Sequence, residues 1–309
     1  MINFVISFFM SITSGQHIQP FLNYLKFQKR YSQHTIISYQ GDLLSFFDYL
    51  SVQYEVHKTE DVQSTFVRSW LAELKSGGLT GKSINRKISS LKSFFKFNLK
   101  QGIITVTPMA TIISPKVNKR LPQYVDKKDM DTLFDHVEFP DSWRGKTERF
   151  LLQILYNTGI RQAELIGLKD NQVDMHNSAI KVLGKGSKER IIPVSNGLMR
   201  EIIEYINEKK KVFGASTDGS LIVNEKGKKL YPKYVYAVAT KYLAMVTTID
   251  KKSPHVLRHT FATHLTNNGA ELNAVKELLG HSSLAATQVY THNSIEKLKD
   301  IFKKAHPKA

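Results

Sequence analysis

Between Ile18 and Leu99 the apolar residues recur at three- and four-residue intervals, in four separate stretches. That period belongs to helices with one buried face and leaves little room for a sheet. Ile18, Phe21, Leu22 and Leu25 form a stripe over 17–30, and Ile36, Tyr39, Leu43, Phe46, Phe47 and Leu50 form a second over 33–51. Phe66, Trp70, Leu71 and Leu74 mark a third over 61–76; Ile84, Ile88, Leu91, Phe95 and Leu99 mark a fourth over 81–100. Gly77-Gly78 stops the third and Gly102 the fourth. Four amphipathic helices joined by short connections predict a small bundle.

The pattern changes after residue 104. Pro108, Pro115 and Pro122 punctuate 105–122, which reads as a linker, and a new domain begins near Tyr124, with Asp126 able to cap its first helix. Helices are expected at 126–137, 146–158, 161–168, 195–211, 232–247, 256–267, 271–279 and 294–304. Residues 178–183 and 189–194 alternate as strands around Gly184-Lys185-Gly186-Ser187-Lys188, which predicts a β-hairpin with lysines at its tip. Leu221-Ile222-Val223 suggests a third short strand. The expected division is an apolar extension at 1–15, a helical domain at 16–104, the linker at 105–122, and a mixed domain at 123–309.

Charge narrows the partner. The 309 residues carry 44 Lys+Arg against 27 Asp+Glu, a formal net charge of +17. The excess is on both sides of the linker: residues 1–120 hold 15 Lys+Arg and 6 Asp+Glu, residues 121–309 hold 29 and 21. A polyanion that satisfies both has to be long, which favours nucleic acid over a small phosphate ligand. The chain has no cysteine, which excludes a disulfide framework, a thiolate metal site and a cysteine nucleophile. The apolar start MINFVISFFMSI is interrupted by Asn3, Ser7 and Ser11 and is short of the roughly 20 residues a membrane span needs. No Lys or Arg precedes Lys26, so it also lacks the basic start of a secretory signal. The expectation is a cytoplasmic, nucleoid-associated protein with a docking or disordered extension. Met10 is an alternative start.

Several side chains are odd for their surroundings. Residues 201–309 contain sixteen Lys and a single Arg, Arg258, inside the apolar run Val256-Leu257-Arg258-His259-Thr260-Phe261. A lone guanidinium among lysines suggests a task for its planar fork, such as holding phosphate or a carboxylate. Arg161 follows Thr158-Gly159-Ile160 and precedes Glu164 by three residues, so it reads either as one half of an i,i+3 ion pair or as a second phosphate ligand. Six of eleven histidines fall at 255, 259, 264, 281, 292 and 306. The pair His255 and His259 lacks the intervening glutamate of a zinc-peptidase helix, and no metal is expected. In the bundle, Lys82, Arg86, Lys87, Lys92, Lys96 and Lys100 occupy one helix without an acid among them. They form either a solvated face or a phosphate-contacting one.

Taken together the motifs amount to a resemblance. Thr158-Gly-Ile-Arg161-x-x-Glu164-Leu165, Gly184-Lys185-Gly186-x-Lys188-x-Arg190, Pro254-His255-x-Leu-Arg258-His-Thr-Phe-Ala-Thr-His264, Leu279-Gly280-His281-Ser-Ser and Thr287-Gln-x-Tyr290-Thr-His292 follow one another in the order of the tyrosine site-specific recombinases. The chain resembles the Xer-type branch of that phage-integrase family, and Ser32-x-x-Thr35-x-x-x-Tyr39-x-x-Asp42-Leu43 extends the likeness into the bundle. Departures are small: Ala163 stands for a commoner Ser, and Ala285 and Ala286 lie in the loop before Tyr290.

The resemblance implies a mainly α fold with a small β-sheet: a SAM-like four-helix core-binding domain followed by an α+β catalytic domain. It implies DNA cleavage and rejoining without metal or other cofactor, with Tyr290 as nucleophile. Arg161 and Arg258 would hold the scissile phosphate, Lys185 would be the acid for the leaving oxygen, with Lys188 its rival, and His255 and His281 would assist. Lys82, Arg86, Lys87, Lys92, Lys188 and Arg190 are candidate DNA contacts, and Glu164 a support for Arg161. The implied partners are duplex DNA with a recombination site, a homo- or heterotetramer with a second recombinase, and a septal DNA translocase; no membrane is involved. Segment 294–305, with Ile295, Leu298 and Ile301 on one face, would dock on a neighbour or on its own domain. Resolution of chromosome dimers is the implied role. A mobile-element integrase shares every motif, while a type IB topoisomerase or a non-catalytic DNA-binding protein fits them less well.

Overall fold

A computed structural model describes residues 18–117, 123–184, 189–214, 218–280 and 305. The chain divides into two compact units, Met1–Arg120 and Leu121–Ala309. Lys185, Lys188, His281 and Tyr290 lie outside the described residues, as do the extension at 1–15 and the expected helix at 294–304.

Every element of the first unit among the described residues is a helix. Helix α1 spans 18–28 and closes in a π-helical turn, Tyr24–Gln28; α2 (Gln33–Tyr54), α3 (Ser64–Ser76) and α4 (Gly81–Lys100) follow. Two starts are set by hydroxyl caps. The Ser32 side chain accepts from the Thr35 backbone N–H at 3.3 Å, and Thr80 does the same for Ser83 at 3.3 Å, each satisfying an amide that has no helical partner. The stripes converge on an aromatic core. Trp70 packs edge-on to Phe46 with ring centroids 5.0 Å apart, and Phe94 meets Phe21 at 5.5 Å and Phe47 at 5.6 Å. Burying each such side chain contributes about 1.5–3 kcal/mol. The fourth stripe turns at its end: Leu99 is exposed, while Phe94 and Asn98 face inward.

The second unit contains α5 (Lys127–Asp135), α6 (Trp143–Thr158), α7 (Gln162–Gly167), α8 (Asn196–Phe213), α9 (Pro232–Val246), α10 (Pro254–Asn267) and α11 (Leu272–Leu279). Asp126 occupies the cap position of α5, but its side chain makes no capping bond. A three-stranded antiparallel sheet lies between α7 and α8, in the order β1 (Val173–Asp174), β2 (Ala179–Leu183), β3 (Glu189–Pro193). The β2–β3 register pairs Ile180 with Ile192 and Val182 with Arg190, up to Leu183 with Glu189 beside the tip. The expected strand at Leu221–Val223 is corrected: it makes only isolated bridges, through its neighbour Ser220 to Lys169 and from Val223 to Lys229. All three of its side chains are buried, so its apolar run is a core segment rather than a sheet member. The third strand is instead β1, two residues too short for any alternation to be legible.

Helices α6 and α10 pack against each other at the centre of this unit, with Leu151, Ile154, Leu155, Leu257, Phe261 and Leu265 fully buried. Ser253 starts α10 by accepting from Val256 N–H, and Pro254 takes the first helical position, where its missing N–H costs nothing. Of the C-terminal segment, Ala305 is described: it is buried, and its carbonyl accepts from Asn268 Nδ2 at 2.6 Å.

Candidate active site

The α6–α7 turn places the first arginine. Gly159 ends α6 in the left-handed region at φ 59°, and a Cβ there would lie 2.3 Å from the Phe261 ring. Glycine alone fits on both counts. Arg161 is then the cap residue of α7, and Glu164, three residues on, reaches back to accept from the Arg161 backbone N–H at 2.7 Å. This is the glutamate half of a capping box. The same carboxylate accepts from Arg161 Nη1 at 2.8 Å.

Glu164 has a second cation that the sequence pattern did not assign to it. Arg190 on β3 donates to both carboxylate oxygens, Nη1 to Oε1 at 2.9 Å and Nη2 to Oε2 at 2.7 Å. Its Nε donates to the Leu278 carbonyl at 2.8 Å. The two side chains are 6% and 5% exposed. Arg190, a candidate DNA contact on sequence, is thus buried, with its fork spent inside the protein. The legible signal was the strand alternation, which puts Arg190 in phase with inward-facing Ile192. Burial pulls the Glu164 carboxyl upward, but the hydrogen bonds from Arg190 and from the Arg161 backbone outweigh it and hold it below the usual carboxylate range.

Arg258, from the middle of α10, is buried beside them. Its Nη1 donates to the Gly159 carbonyl at 2.7 Å and its Nη2 to the Leu279 carbonyl at 2.6 Å. Arg161 Nη2 donates to the Gly280 carbonyl at 3.1 Å. Three consecutive carbonyls, at Leu278, Leu279 and Gly280, thus each accept from a different arginine. Carbonyls at a helix C-terminus have no helical partner and carry partial negative charge, so they suit cations. Burial, and next the Arg161 charge, lower Arg258 to about 10, which leaves it cationic at neutral pH. Each guanidinium has five N–H donors, so both Arg161 and Arg258 keep donors beyond those used here.

His255 and His259 lie one turn apart on α10, with Nε2 atoms 3.2 Å from each other. Burial lowers His255, and the charges of His259, Arg258 and Arg161 lower it further; burial and Arg258 lower His259. His255 is thus a neutral imidazole at pH 7, able to accept a proton. Among the described residues no cluster of three or more His, Asp or Glu is placed to hold a metal, and no helix is long and apolar enough to cross a membrane.

Arg161, Glu164, Arg190 and Arg258 thus meet at the end of α11, and comparisons with known proteins say what the chain is similar to. Residues 123–297 match the phage integrase family, and residues 18–102 match the phage integrase N-terminal SAM-like domain. The chain belongs to the phage integrase family. It is 34% identical over 317 residues to the tyrosine recombinase XerC of Chlorobaculum parvum, covering 94% of each chain. It is 37% identical over 294 residues to XerC of Staphylococcus aureus, covering 95% of this chain and 97% of that one. A crystal structure of the XerH site-specific recombinase bound to its difH substrate, before cleavage, shares the fold: TM-score 0.65 at 24% identity, over 85% of this chain and 78% of that one. As a tyrosine recombinase the protein cuts and rejoins DNA.

The basic face of the helical unit is smaller than its sequence implies. Arg86 Nη1 donates to Asp42 Oδ2 and to Ser38 Oγ, and Lys87 Nζ donates to Asp42 Oδ1 at 3.0 Å. Lys87 also sits over the Trp70 ring, 5.4 Å from its centroid, and its side chain is only 12% exposed. Lys87, a candidate DNA contact on sequence, thus packs into the bundle. The Arg86 side chain is 47% exposed, and Lys82 and Lys92 are exposed.

Proposed function

We propose that this tyrosine recombinase cuts each strand through Tyr290 and acts on the recombination site at which chromosome dimers are resolved. The Tyr290 oxygen attacks the scissile phosphorus and the bond to the 5′-oxygen breaks, leaving a 3′-phosphotyrosyl link. Lys185 gives its proton to the departing 5′-oxygen. His255 takes the tyrosine proton, and His281 donates a hydrogen bond to the phosphate. Arg161 and Arg258 hold the non-bridging oxygens as negative charge builds on them. Losing one such stabiliser costs about 2.7–4 kcal/mol of barrier, roughly 10²–10³ in rate. The bond energy is kept in the phosphotyrosine, so a 5′-hydroxyl from the partner duplex reverses the step and completes exchange through a four-way junction.

The observation that carries this reading is the gathering of Arg161 and Arg258 at the end of α11, immediately before His281 in the chain, with His255 near enough for both charges to lower it. Two guanidiniums with donors to spare, beside a proton acceptor, suit a phosphodiester better than any neutral substrate. The XerC relatives at 34% and 37% identity over nearly the full chain support the dimer-resolution role. That role implies four protomers on two duplexes, a second recombinase or a second copy of this one, and a septal translocase as activator in the cytoplasm.

A nicked suicide duplex, which traps the covalent intermediate, tests the chemistry. Tyr290→Phe abolishes the protein–DNA adduct and leaves duplex binding intact; an adduct formed by that variant assigns the nucleophile elsewhere. A 5′-thio leaving group, which needs no acid, rescues Lys185→Ala and not Arg161→Ala. Rescue of Lys188→Ala instead moves the acid to position 188.

A further inference from the structure

We propose that Arg190 is a positioning residue for strand cleavage. Through Glu164 it fixes the Arg161 guanidinium, and through the Leu278 carbonyl it fixes the end of α11, from which the chain passes to His281. The inference rests on the role of Arg161 proposed above.

The bonding pattern of Glu164 is the first reason. Each of its oxygens receives one bond from Arg161 and one from Arg190: Oε1 from the two Nη1 atoms at 2.8 and 2.9 Å, Oε2 from Arg161 N and Arg190 Nη2 at 2.7 Å each. Arg190 approaches as a bidentate fork and so sets the plane of the carboxylate. With that plane set, Oε1 is aimed at Arg161 Nη1. Without Arg190 the carboxylate is held only by Arg161 itself, through its backbone N–H and Nη1, and the Arg161 side chain, which is 39% exposed, loses its independent support.

The second reason is Gly280. It sits at φ 64°, and a Cβ there would lie 3.1 Å from Arg190 Cδ and 3.3 Å from its Nε and Nη1. The Arg190 side chain therefore lies directly under the residue whose carbonyl holds Arg161 Nη2. The third reason is its place in the sheet. Arg190 is one residue from Glu189, whose pair with Leu183 is the last of the β2–β3 register, and Lys185 falls in the segment that joins the two strands in sequence. One buried side chain thus joins the root of the lysine hairpin, the support of Arg161 and the end of α11.

Lysine cannot replace this fork, because one ammonium does not reach two carboxylate oxygens and a carbonyl in fixed geometry. The test uses the full chain and single-turnover adduct formation on a nicked suicide duplex in two versions. One has an ordinary scissile phosphate. The other has a methylphosphonate, which carries no charge for an arginine to hold. Arg190→Lys is expected to bind duplex with the wild-type Kd and to cleave the phosphate about 10- to 100-fold more slowly. On the methylphosphonate it is expected to match wild type, as is Arg161→Ala. Arg190→Gln gives the same signature and serves if the lysine variant does not fold. Cleavage of the phosphate at the wild-type rate overturns the inference, and so does slowing by the same factor on both substrates, which marks a merely structural role. Wild-type protein that forms no adduct overturns the proposed chemistry itself, and the role of Arg190 with it.

Discussion

Asp42 in the first unit and Glu164 in the second are each buried against two cations, and the two arrangements serve opposite ends. Asp42 in α2 is taken up by Arg86, Lys87 and Ser90, all from neighbouring positions of α4. The contact ties two helices together and withdraws positive charge from a face that could grip DNA. Glu164 is taken up by Arg161 beside it and by Arg190 from the sheet, and both arginines continue to the end of α11. There the buried acid does not withdraw a cation from the site but holds one in it. A buried ion pair is weak evidence for stability by itself, since the desolvation it costs rivals the attraction it gains. Where the second partners lead is what separates a brace from a site.

The widest separation comes from neutralising each acid. Glu164→Gln leaves Arg190 buried without its counter-charge and is expected to destabilise the second unit by about 3–5 kcal/mol. It also releases Arg161, so cleavage by the protein that remains folded falls by about 10²-fold. Asp42→Asn strands a cation that is partly solvated and is expected to cost the first unit about 1–3 kcal/mol, with the cleavage rate of bound DNA unchanged. The two tryptophans, Trp70 and Trp143, lie one in each unit. Denaturant unfolding followed by fluorescence in Trp70→Phe and Trp143→Phe backgrounds therefore reads each unit separately. Equal cleavage by both acid variants would erase the distinction.

The next effect is one of pH. Burial, then the charges of His259, Arg258 and Arg161, hold His255 below the ordinary imidazole value of about 6.5. As pH falls through that lowered value His255 becomes protonated and can no longer accept the tyrosine proton, so cleavage normalised to bound DNA acquires an acid limb below about pH 6.5. The unfolded chain takes up the same proton first. Stability is therefore intact above about 6.5 and declines as pH falls toward the lowered folded value. His259→Gln removes one of the neighbouring charges, so the limb moves to higher pH. A limb that stays in place in this variant would show that the pair is not coupled.

Much of this was legible in the sequence, for identifiable reasons. Long stripes such as Ile36 to Leu50 exposed the helices, because burial of one face repeats over many turns. The motif order singled out Arg161, His255 and Arg258, which lie near one another in the second unit. The internal partners of Arg190 were not legible, because a cation in a basic chain suggests a phosphate, while the sign of its burial is its phase with Ile192 across a five-residue strand. The ion pair of Lys87 was not legible because its acid lies 45 residues away, beyond any helical spacing rule. Leu221–Val223 was misread because a short buried run looks the same in a strand and in a core loop. In each case the missing information was a tertiary partner, which local pattern does not carry.

The smallest effect is the most direct measure of which cations are free. Each lysine that neutralises a DNA phosphate releases a counterion, so its loss lowers the slope of log K against log salt by about 1. Lys82→Ala and Lys92→Ala are each expected to do so in duplex-binding titrations across salt concentration, because both side chains are exposed. Lys87→Met is expected to leave the slope unchanged, since its charge is already balanced by Asp42 at 3.0 Å. Arg86 falls between them: one Nη is bound to Asp42, and the side chain remains half exposed. Asp42→Asn then provides the converse. It removes the internal anion without removing a cation, so the slope steepens. A slope that does not change with Asp42→Asn, combined with one that falls with Lys87→Met, would return Lys87 to the DNA-contacting face and make the two buried acids alike after all.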